Sequence, residues 1–220
     1  ALLLARRAGC PVAIGADRAA AARLLVAQGV DLIVADDGLQ HLALKRDFEI
    51  VVVDGARRFG NGRLLPAGPL REPVARLRTV DAVVVNGGSG AEGIAMTLEP
   101  GDARAVRGAG TRPLSTFAGA RVHAVAAIGH PERFFGLLER LGMQVIRHPL
   151  PDHHPLAPGD IEFADELPVL MTEKDAVKCE GFAGARHWYV PVEARIEPAQ
   201  GTRLLDSVLA LLPDRADRTR

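Results

Sequence analysis

The chain has 220 residues, of which 48% are apolar and 25% are charged, and such a composition is ordinary for a globular protein with a sizeable core. Lysine and arginine total 27, and so do aspartate and glutamate, so the charge balance argues against a nucleic-acid binder that works through a general basic field. Because no apolar run reaches the length of a bilayer-spanning helix, no membrane span is predicted.

The first nine residues form an apolar and basic pattern that predicts a helix ending at Gly9. This pattern has no capping signal at its start, and residue 1 is alanine rather than methionine. A helix that begins without a cap predicts that residues precede it. We therefore expect this sequence to be a fragment of a longer protein.

Short β-branched runs alternate with helical patterns along the chain, which predicts an α/β fold with a mostly parallel sheet. The periodicity gives way to glycine, proline and arginine between 55 and 73, and a loop of this length is typically functional or disordered. In this first half we predict a helix at 17–28 and strands at 11–14, 31–35, 48–54 and 80–86.

A glycine-rich, weakly patterned stretch at 101–119 predicts a domain boundary, and a second series of strands and helices follows it. We therefore divide the chain into a core domain at 1–115, a smaller α/β domain at 116–213 and a frayed tail at 214–220. In the second half we predict strands at 122–128, 144–148, 167–171 and 188–192 and helices at 131–141, 173–179 and 202–212.

The sharpest local feature is the pair Asp36 and Asp37, which directly follows the predicted strand 31–35. Ligands collect at the carboxyl ends of strands in open α/β sheets, and two carboxylates there resemble a Walker B element that holds Mg²⁺. The pattern also fits a helix cap at Asp36 beside a solvated Asp37, because such sequences are common. Gln40 and His41 come next and suit either the positioning of a phosphate or a surface turn.

A second candidate is the run from Pro151 through Asp152 and His153 to His154. A histidine beside an aspartate can act as an oriented general base or donate a hydrogen bond to phosphate. The alternative is a solvated loop with an aspartate-capped helix. Zinc is a poor fit, because adjacent histidines do not converge on one metal and no HExxH or CxxC pattern accompanies them.

Arginines flank the long loop, with Arg57 and Arg58 on one side and Arg71 on the other. An arginine can clamp a phosphate through two parallel hydrogen bonds. Glu72 could pair with Arg71 or add a carboxylate to a metal site, and solvated charge is the alternative for all four.

The segment from Thr172 to Asp175 begins the predicted helix at 173–179. Thr172 is a good N-cap and Asp175 stands where a capping-box acid would, so capping explains most of the pattern. A role for Lys174 at a phosphate is the lesser hypothesis. The two cysteines, Cys10 and Cys179, lie far apart and favour a reduced, cytosolic compartment.

Taken in order, these motifs resemble the tetraacyldisaccharide 4′-kinase family of the lipid A pathway. An ordered series is far more specific than any single motif, and this one covers essentially the whole chain. It consists of Asp36-Asp37-Gly38-Leu39-Gln40-His41, Val53-Asp54-Gly55, Arg58-Phe59-Gly60-Asn61-Gly62, Leu65-Pro66-Ala67-Gly68-Pro69-Leu70-Arg71-Glu72-Pro73, Val85-Asn86-Gly87, Ala127-Ile128-Gly129-His130-Pro131-Glu132-Arg133-Phe134-Phe135, Pro151-Asp152-His153-His154 and Thr172-Glu173-Lys174-Asp175-Ala176-Val177-Lys178.

The resemblance implies a P-loop kinase of two α/β domains that uses MgATP to phosphorylate the 4′-hydroxyl of a tetraacylated disaccharide 1-phosphate, a lipid A precursor. It implies that Asp36 and Asp37 hold Mg²⁺ and that His153 assists the catalytic acid–base group, with Asp37 also serving catalysis. It implies no nucleic-acid partner and a peripheral location on the cytoplasmic side of the bacterial inner membrane. The residues implied at the nucleotide phosphates and metal are Gln40, His41, Arg71 and Glu72.

The sequence departs from the family pattern in two respects. It contains no P-loop of the Gly-Gly-Thr-Gly-Lys-Thr type, no upstream aspartate for proton transfer and no membrane-contacting helix, so we expect this polypeptide alone to bind ATP poorly. His130 stands where the family usually has asparagine. The alternatives to a kinase are a non-catalytic nucleotide-binding α/β module and an inactive remnant.

Overall fold

A computed structural model describes residues 2–87 and 93–212. None of the described helices is long and apolar enough to cross a membrane. The helices are α1 (Leu2–Ala8), α2 (Arg18–Val26), α3 (Pro131–Arg140), α4 (Glu173–Cys179) and α5 (Pro198–Leu209). The strands are β1 (Ile50–Asp54), β2 (Ala82–Asn86), β3 (Ile94–Pro100), β4 (Ala103–Ala105), β5 (Thr111–Arg112), β6 (Arg121–Ala126), β7 (Gln144–Pro149), β8 (Val169–Thr172), β9 (His187–Val190) and β10 (Val192–Ile196).

The first sheet has four strands in the order β1-β2-β3-β10. β1 runs parallel to β2, and β2 runs parallel to β3. Asp54 and Asn86 are register partners where β1 and β2 end, and the amide of Gly55 donates to the carbonyl of Asn86 at 2.8 Å. The chain therefore leaves both strands at one edge of the sheet, and the long loop at 55–73 starts there.

The second sheet has six strands in the order β5-β4-β9-β8-β6-β7. The pairs β7–β6, β6–β8 and β8–β9 are parallel, whereas β4 is antiparallel to both β9 and β5. α3 connects β6 to β7, and α4 connects β8 to β9, as parallel neighbours require a crossover. The predicted α/β fold with mostly parallel sheets is confirmed.

Side chains of alternating direction along the strands of the second sheet enter two separate cores. Val122, Ala124 and Ala126 belong to the core that contains Phe135 of α3. Val125 lies between them in sequence but belongs to the other core, whose remaining members are Val106, Leu156, Ile161, Val169, Met171, Ala176, Cys179 and Ala183. Burial of the Cys179 thiol raises its pKa to about 11, so it is an inert core residue.

Two compact units divide the described residues. The first contains 8–98 and 194–212, and the second contains 2–7 and 99–193. The β4–β5 hairpin at 103–112 pairs with β9 of the second sheet, although the sequence placed these residues before a boundary at 115. That domain division stays a prediction, and its tail at 214–220 lies outside the described residues.

Two predicted strands are wrong. Residues 11–14 and 31–35 belong to neither sheet among the described residues, and Val34 is 87% exposed. A β-branched run favours extended backbone, but it becomes a strand only when a neighbour supplies ladder hydrogen bonds. The described strands end the first sheet at β1 and give these two segments no such neighbour.

The other predicted elements are confirmed within a few residues. The helix predicted at 173–179 has these same ends in α4, and Thr172 is its N-cap. The last helix begins four residues before its predicted start, at Pro198, because Glu197 accepts hydrogen bonds from the amides of Ala199 and Gln200. Strands β3, β4, β5 and β10 were not predicted. β4 and β5 lie in the glycine-rich stretch, where alternation is weak.

A buried carboxylate joins the ends of two strands in the second unit. Asp175 is fully buried, and its Oδ2 accepts from the amide of Ala127 at 2.9 Å and from Oγ1 of Thr172 at 2.6 Å. Its Oδ1 accepts from Nζ of Lys178 at 3.1 Å. A buried charge is tolerated only when it is paired and hydrogen-bonded, and these three donors meet that need.

Asp175→Ala should lower the free energy of unfolding by about 3 kcal/mol, because it leaves buried donors without an acceptor. Urea unfolding followed by circular dichroism measures this change. Asp206→Ala on exposed α5 is the matched control and should change the free energy by less than about 0.5 kcal/mol. Equal stabilities for the two variants would contradict the role of the carboxylate.

A second polar cluster lies against the sheet. Nδ1 of His123 is 2.8 Å from Nε2 of His148, and Nε2 of His123 is 2.9 Å from Oδ1 of Asp165. Phe163 stacks on both imidazoles, and the guanidinium of Arg186 lies 3.9 Å from Asp165. Burial and the adjacent His123 lower the pKa of His148, while the hydrogen bond from His123 is the main cause of a lowered pKa at Asp165.

The lowered pKa of His148 means that folding favours its neutral form, so this contribution to stability is present above the ordinary histidine pKa and is lost as pH falls. We expect the thermal unfolding midpoint to fall between about pH 7 and pH 5. His148→Gln should flatten this fall, whereas His130→Gln, at an exposed position, should leave it unchanged. Parallel pH curves for wild type and His148→Gln would refute the assignment.

Candidate functional site

The first unit places Asp36 and Asp37 in a turn after segment 32–35, which is neither helix nor strand. Asp37 has a left-handed backbone with φ of 51°, a conformation that aspartate tolerates better than most residues. Both of its carboxylate oxygens lie 3.2 Å from one guanidinium nitrogen of Arg71. Asp37 is 70% exposed along its side chain, so this ion pair is open to exchange with a ligand.

Arg71 begins a chain of polar contacts through the first unit. Its guanidinium also lies 3.4 Å from Oε1 of Gln40, and Nε2 of Gln40 donates to Oε1 of Glu72 at 2.5 Å. The other oxygen of Glu72 accepts from Nε of Arg76 at 3.2 Å. Four of the predicted site residues, Asp37, Gln40, Arg71 and Glu72, are thus connected directly.

Glu49 anchors the far end of this chain. Its oxygens accept from Arg76 and Arg46, both at 2.6 Å, and these two hydrogen bonds lower its pKa, with Arg76 the larger cause. Glu49 immediately precedes β1, and its amide donates to Asp81 before β2. The predicted phosphate-facing residues are therefore tied to the sheet through an arginine-glutamate relay that the sequence did not suggest.

The long loop at 55–73 is folded back on itself. Nδ2 of Asn61 donates to the carbonyl of Ala67 at 2.9 Å, and its Oδ1 accepts from the amide of Arg63. The amide of Leu65 donates to the carbonyl of Leu70 at 2.8 Å. These bonds fix the loop just before Arg71, so the loop is a structured support for the cationic side chain.

The other predicted residues of the first unit take less part in these polar contacts. Asp36 is exposed, and His41 contributes its carbonyl to Arg46 at 3.2 Å. Asp54, at the end of β1, accepts from the amides of Ala56 and Arg57, which caps the turn into the loop.

The second unit holds His153 at the carboxyl edge of its sheet, four residues beyond β7. Its backbone is left-handed with φ of 64°, and its side chain is 79% exposed. Its amide donates to Oδ1 of Asp152 at 3.0 Å, and the same oxygen accepts from Nζ of Lys174 at 3.0 Å. The hydrogen bond from Lys174 is the main cause of a lowered pKa at Asp152.

The next residue, His154, is structural. Its Nε2 lies 3.1 Å from Oδ2 of Asp160, and its carbonyl accepts from Nζ of Lys178. The amide of Ala157 is the main cause of the lowered pKa of Asp160. The two adjacent histidines therefore point to different partners, and the described residues contain no cluster of three potential metal-binding side chains.

The donors in the first unit fit a magnesium ion better than a softer metal. Asp36 and Asp37 offer carboxylate oxygens and Gln40 offers an amide oxygen, which are the hard ligands that Mg²⁺ prefers. Mg²⁺ keeps several of its waters, so one or two carboxylates suffice. The site residues match this chemistry.

Sequence reasoning missed the residues that act at a distance. For Lys174 the sequence offers only a lesser hypothesis of a phosphate contact, whereas its contact with Asp152 joins residues 22 positions apart. Arg76 and Glu49 had no assignment at all. A short motif carries no signal for such contacts, because only the folding of two loops to one sheet edge brings the partners together.

Parallel strands that deliver acidic, basic and histidine side chains to their carboxyl edges define an α/β protein built to handle a charged ligand. The fold resembles that of the apo form of LpxK from Aquifex aeolicus, solved in complex with ATP, with a TM-score of 0.56 and 24% identity over 78% of this chain and 55% of that one. This likeness shows a shared α/β fold.

The model of the family "Tetraacyldisaccharide-1-P 4'-kinase" matches residues 1–210. A tetraacyldisaccharide 4'-kinase of Alkalilimnicola ehrlichii is 56% identical over 96% of this chain, and one of Nitrosococcus oceani is 52% identical over 93%. The chain belongs to the tetraacyldisaccharide 4'-kinase family. It spans 64% of the length of the first relative and 61% of the second.

Gly68→Ala should distort the loop that supports Arg71, because an added Cβ would stand 2.2 Å from Oδ1 of Asn61 and 2.3 Å from the carbonyl oxygen of Arg63. We expect a loss of about 1 to 3 kcal/mol in the free energy of unfolding, measured by urea titration. Gly181→Ala is the control, since its Cβ would meet nothing within 4 Å. A Gly68→Ala variant as stable as this control would contradict the prediction, because it would show that the loop rearranges without loss of stability.

Proposed function

We propose that this chain forms part of an enzyme that transfers the γ-phosphate of ATP to the 4′-hydroxyl of a tetraacylated disaccharide 1-phosphate, a lipid A precursor. The observation that carries the proposal is the family match across residues 1–210, with relatives of that name sharing half or more of their aligned residues. The contact of Arg71 with Asp37 supports it, because a guanidinium beside a carboxylate is a common arrangement at phosphate and metal sites.

Phosphoryl transfer needs little covalent help from the protein, so its catalysts mainly position the reactants and offset negative charge. Asp36 and Asp37 would hold Mg²⁺, which supplies positive charge to the phosphate oxygens when bound. Arg71 would then turn from Asp37 to a phosphate oxygen. Gln40 and Glu72 would keep the guanidinium aimed, since Arg71 contacts Gln40 and Gln40 contacts Glu72.

His153 would assist the removal of the proton from the attacking 4′-hydroxyl. Its imidazole is exposed, and its amide is held by Asp152, so the ring is accessible to a substrate while the backbone is fixed. A positioned histidine is the commonest general base at neutral pH. His41 remains a candidate for the nucleotide side of the site.

The enzyme would work at the cytoplasmic face of the bacterial inner membrane as a peripheral protein. The chemistry of the proposed substrate supports this location, because four acyl chains hold the disaccharide in a bilayer while ATP is in the cytosol. Partners other than this lipid and ATP, including nucleic acid, are not part of the proposal.

Asp37→Ala and His153→Ala in the intact enzyme should each lower kcat by at least about 10²-fold, given what single catalytic groups contribute. Transfer of radiolabelled γ-phosphate from ATP to tetraacyldisaccharide 1-phosphate, followed by thin-layer chromatography, measures this loss. Asp47→Ala is the control, because Asp47 is an exposed aspartate that pairs with Lys45.

Near-normal turnover in both variants would overturn the assignment of the site. An intact wild-type enzyme that binds ATP without transferring phosphate to this lipid would instead favour a nucleotide-binding module. The two results are separated by an ATP-binding measurement on the same samples.

A further inference from the structure

The backbone at His153 has a conformation that needs an external restraint. Its φ of 64° lies in the left-handed region, which costs a non-glycine residue free energy and persists only where its surroundings hold it. Two hydrogen bonds restrain it: the amide of His154 donates to the carbonyl of Pro151 at 3.0 Å and closes the turn, and the amide of His153 donates to Oδ1 of Asp152. Through the second bond, the backbone that carries the exposed imidazole depends on where the Asp152 carboxylate lies.

Asp152 is fixed in turn by a residue from another strand end. Nζ of Lys174 donates to Oδ1 of Asp152 at 3.0 Å, the oxygen that also accepts from the amide of His153. On its other side Asp152 faces the backbone of Gly129, where an added Cβ would lie 3.4 Å from Oδ2. The carboxylate thus lies between the loop that follows β6 and the first turn of α4.

Lys174 is itself held in place by the helix to which it belongs. It is the second residue of α4, whose start is secured by the Thr172 N-cap and by the buried Asp175. Asp175 also accepts from the amide of Ala127 at the end of β6. One rigid junction of α4 with β6 therefore supports the lysine that holds Asp152.

We propose that Lys174 is a positioning residue for His153, acting through Asp152. The inference rests on the proposed function, in which His153 assists proton removal. The ammonium holds the carboxylate in place, the carboxylate holds the amide of His153, and the imidazole is presented at one angle. Because Asp152 Oδ2 is 3.8 Å from Nε2 of His153, beyond hydrogen-bond distance, the restraint passes through the backbone rather than through the ring.

This restraint predicts a specific kinetic signature. Lys174→Met in the intact enzyme should lower kcat about tenfold, since misplacement of a catalytic group slows the chemical step. The KM values for ATP and for the lipid should stay within about twofold, because Lys174 is assigned to His153 and not to substrate binding. Lys174→Arg keeps the positive charge and should restore kcat to within about threefold of wild type.

Lys45→Met is the matched control, because Lys45 pairs with Asp47 at the same 3.0 Å distance on an exposed surface. It should leave kcat unchanged. In parallel, the backbone amide resonance of His153, followed by ¹H–¹⁵N NMR, should shift in Lys174→Met and return towards wild type in Lys174→Arg.

Unchanged kcat in Lys174→Met would overturn the inference, and so would an equal loss in Lys174→Arg and Lys174→Met. A rise in KM that accounts for the whole loss would also overturn it, since it would make Lys174 a substrate-binding residue. An inactive wild-type enzyme would refute the proposed function alone, and the His153 amide resonance would then decide whether Lys174 fixes the backbone.

Discussion

The buried carboxylate of Asp175 is the contact on which the carboxyl edge of the second unit depends. It is fully buried, and it accepts from the end of β6, from the N-cap of α4 and from Lys178. Parallel pairing brings the ends of β6, β7 and β8 to one edge, but pairing alone leaves the loops beyond them free to move. The carboxylate joins two of those ends, and Lys178 reaches the third through the carbonyl of His154.

The first unit also ties segments outside its sheet to a strand, but it does so through a relay of side-chain contacts. Its strands β1 and β2 end together at Asp54 and Asn86, and the residues assigned to phosphate and metal lie on segments outside the sheet. A relay from Asp37 through Arg71, Gln40 and Glu72 to Arg76 and Glu49 ties those segments to the start of β1. Glu49 is the end of this relay that is shielded from water, and because its pKa is lowered it stays ionised.

The two units differ in how their polar groups are exposed. In the first, the Asp37–Arg71 pair is open to solvent and weak enough to be exchanged. In the second, the carboxylate that anchors the edge is buried, and the side chain of His153 is exposed to solvent. An exchangeable ion pair suits the arrival and departure of a charged ligand, whereas a fixed anchor suits a group whose angle matters to the chemistry.

The sequence by itself determined the α/β class and the positions of most helices and strands, and its site residues stay predictions. The periodicity of apolar residues and helix capping are local properties of a sequence. The start of α4 could therefore be predicted from Thr172 and Asp175. The tertiary structure alone decided whether an extended run becomes a strand, and 31–35 did not, because a ladder needs a neighbour distant in the chain. It alone also joined Lys174 to Asp152 and Arg76 to Glu49, since such contacts arise only when separate loops meet at one sheet edge.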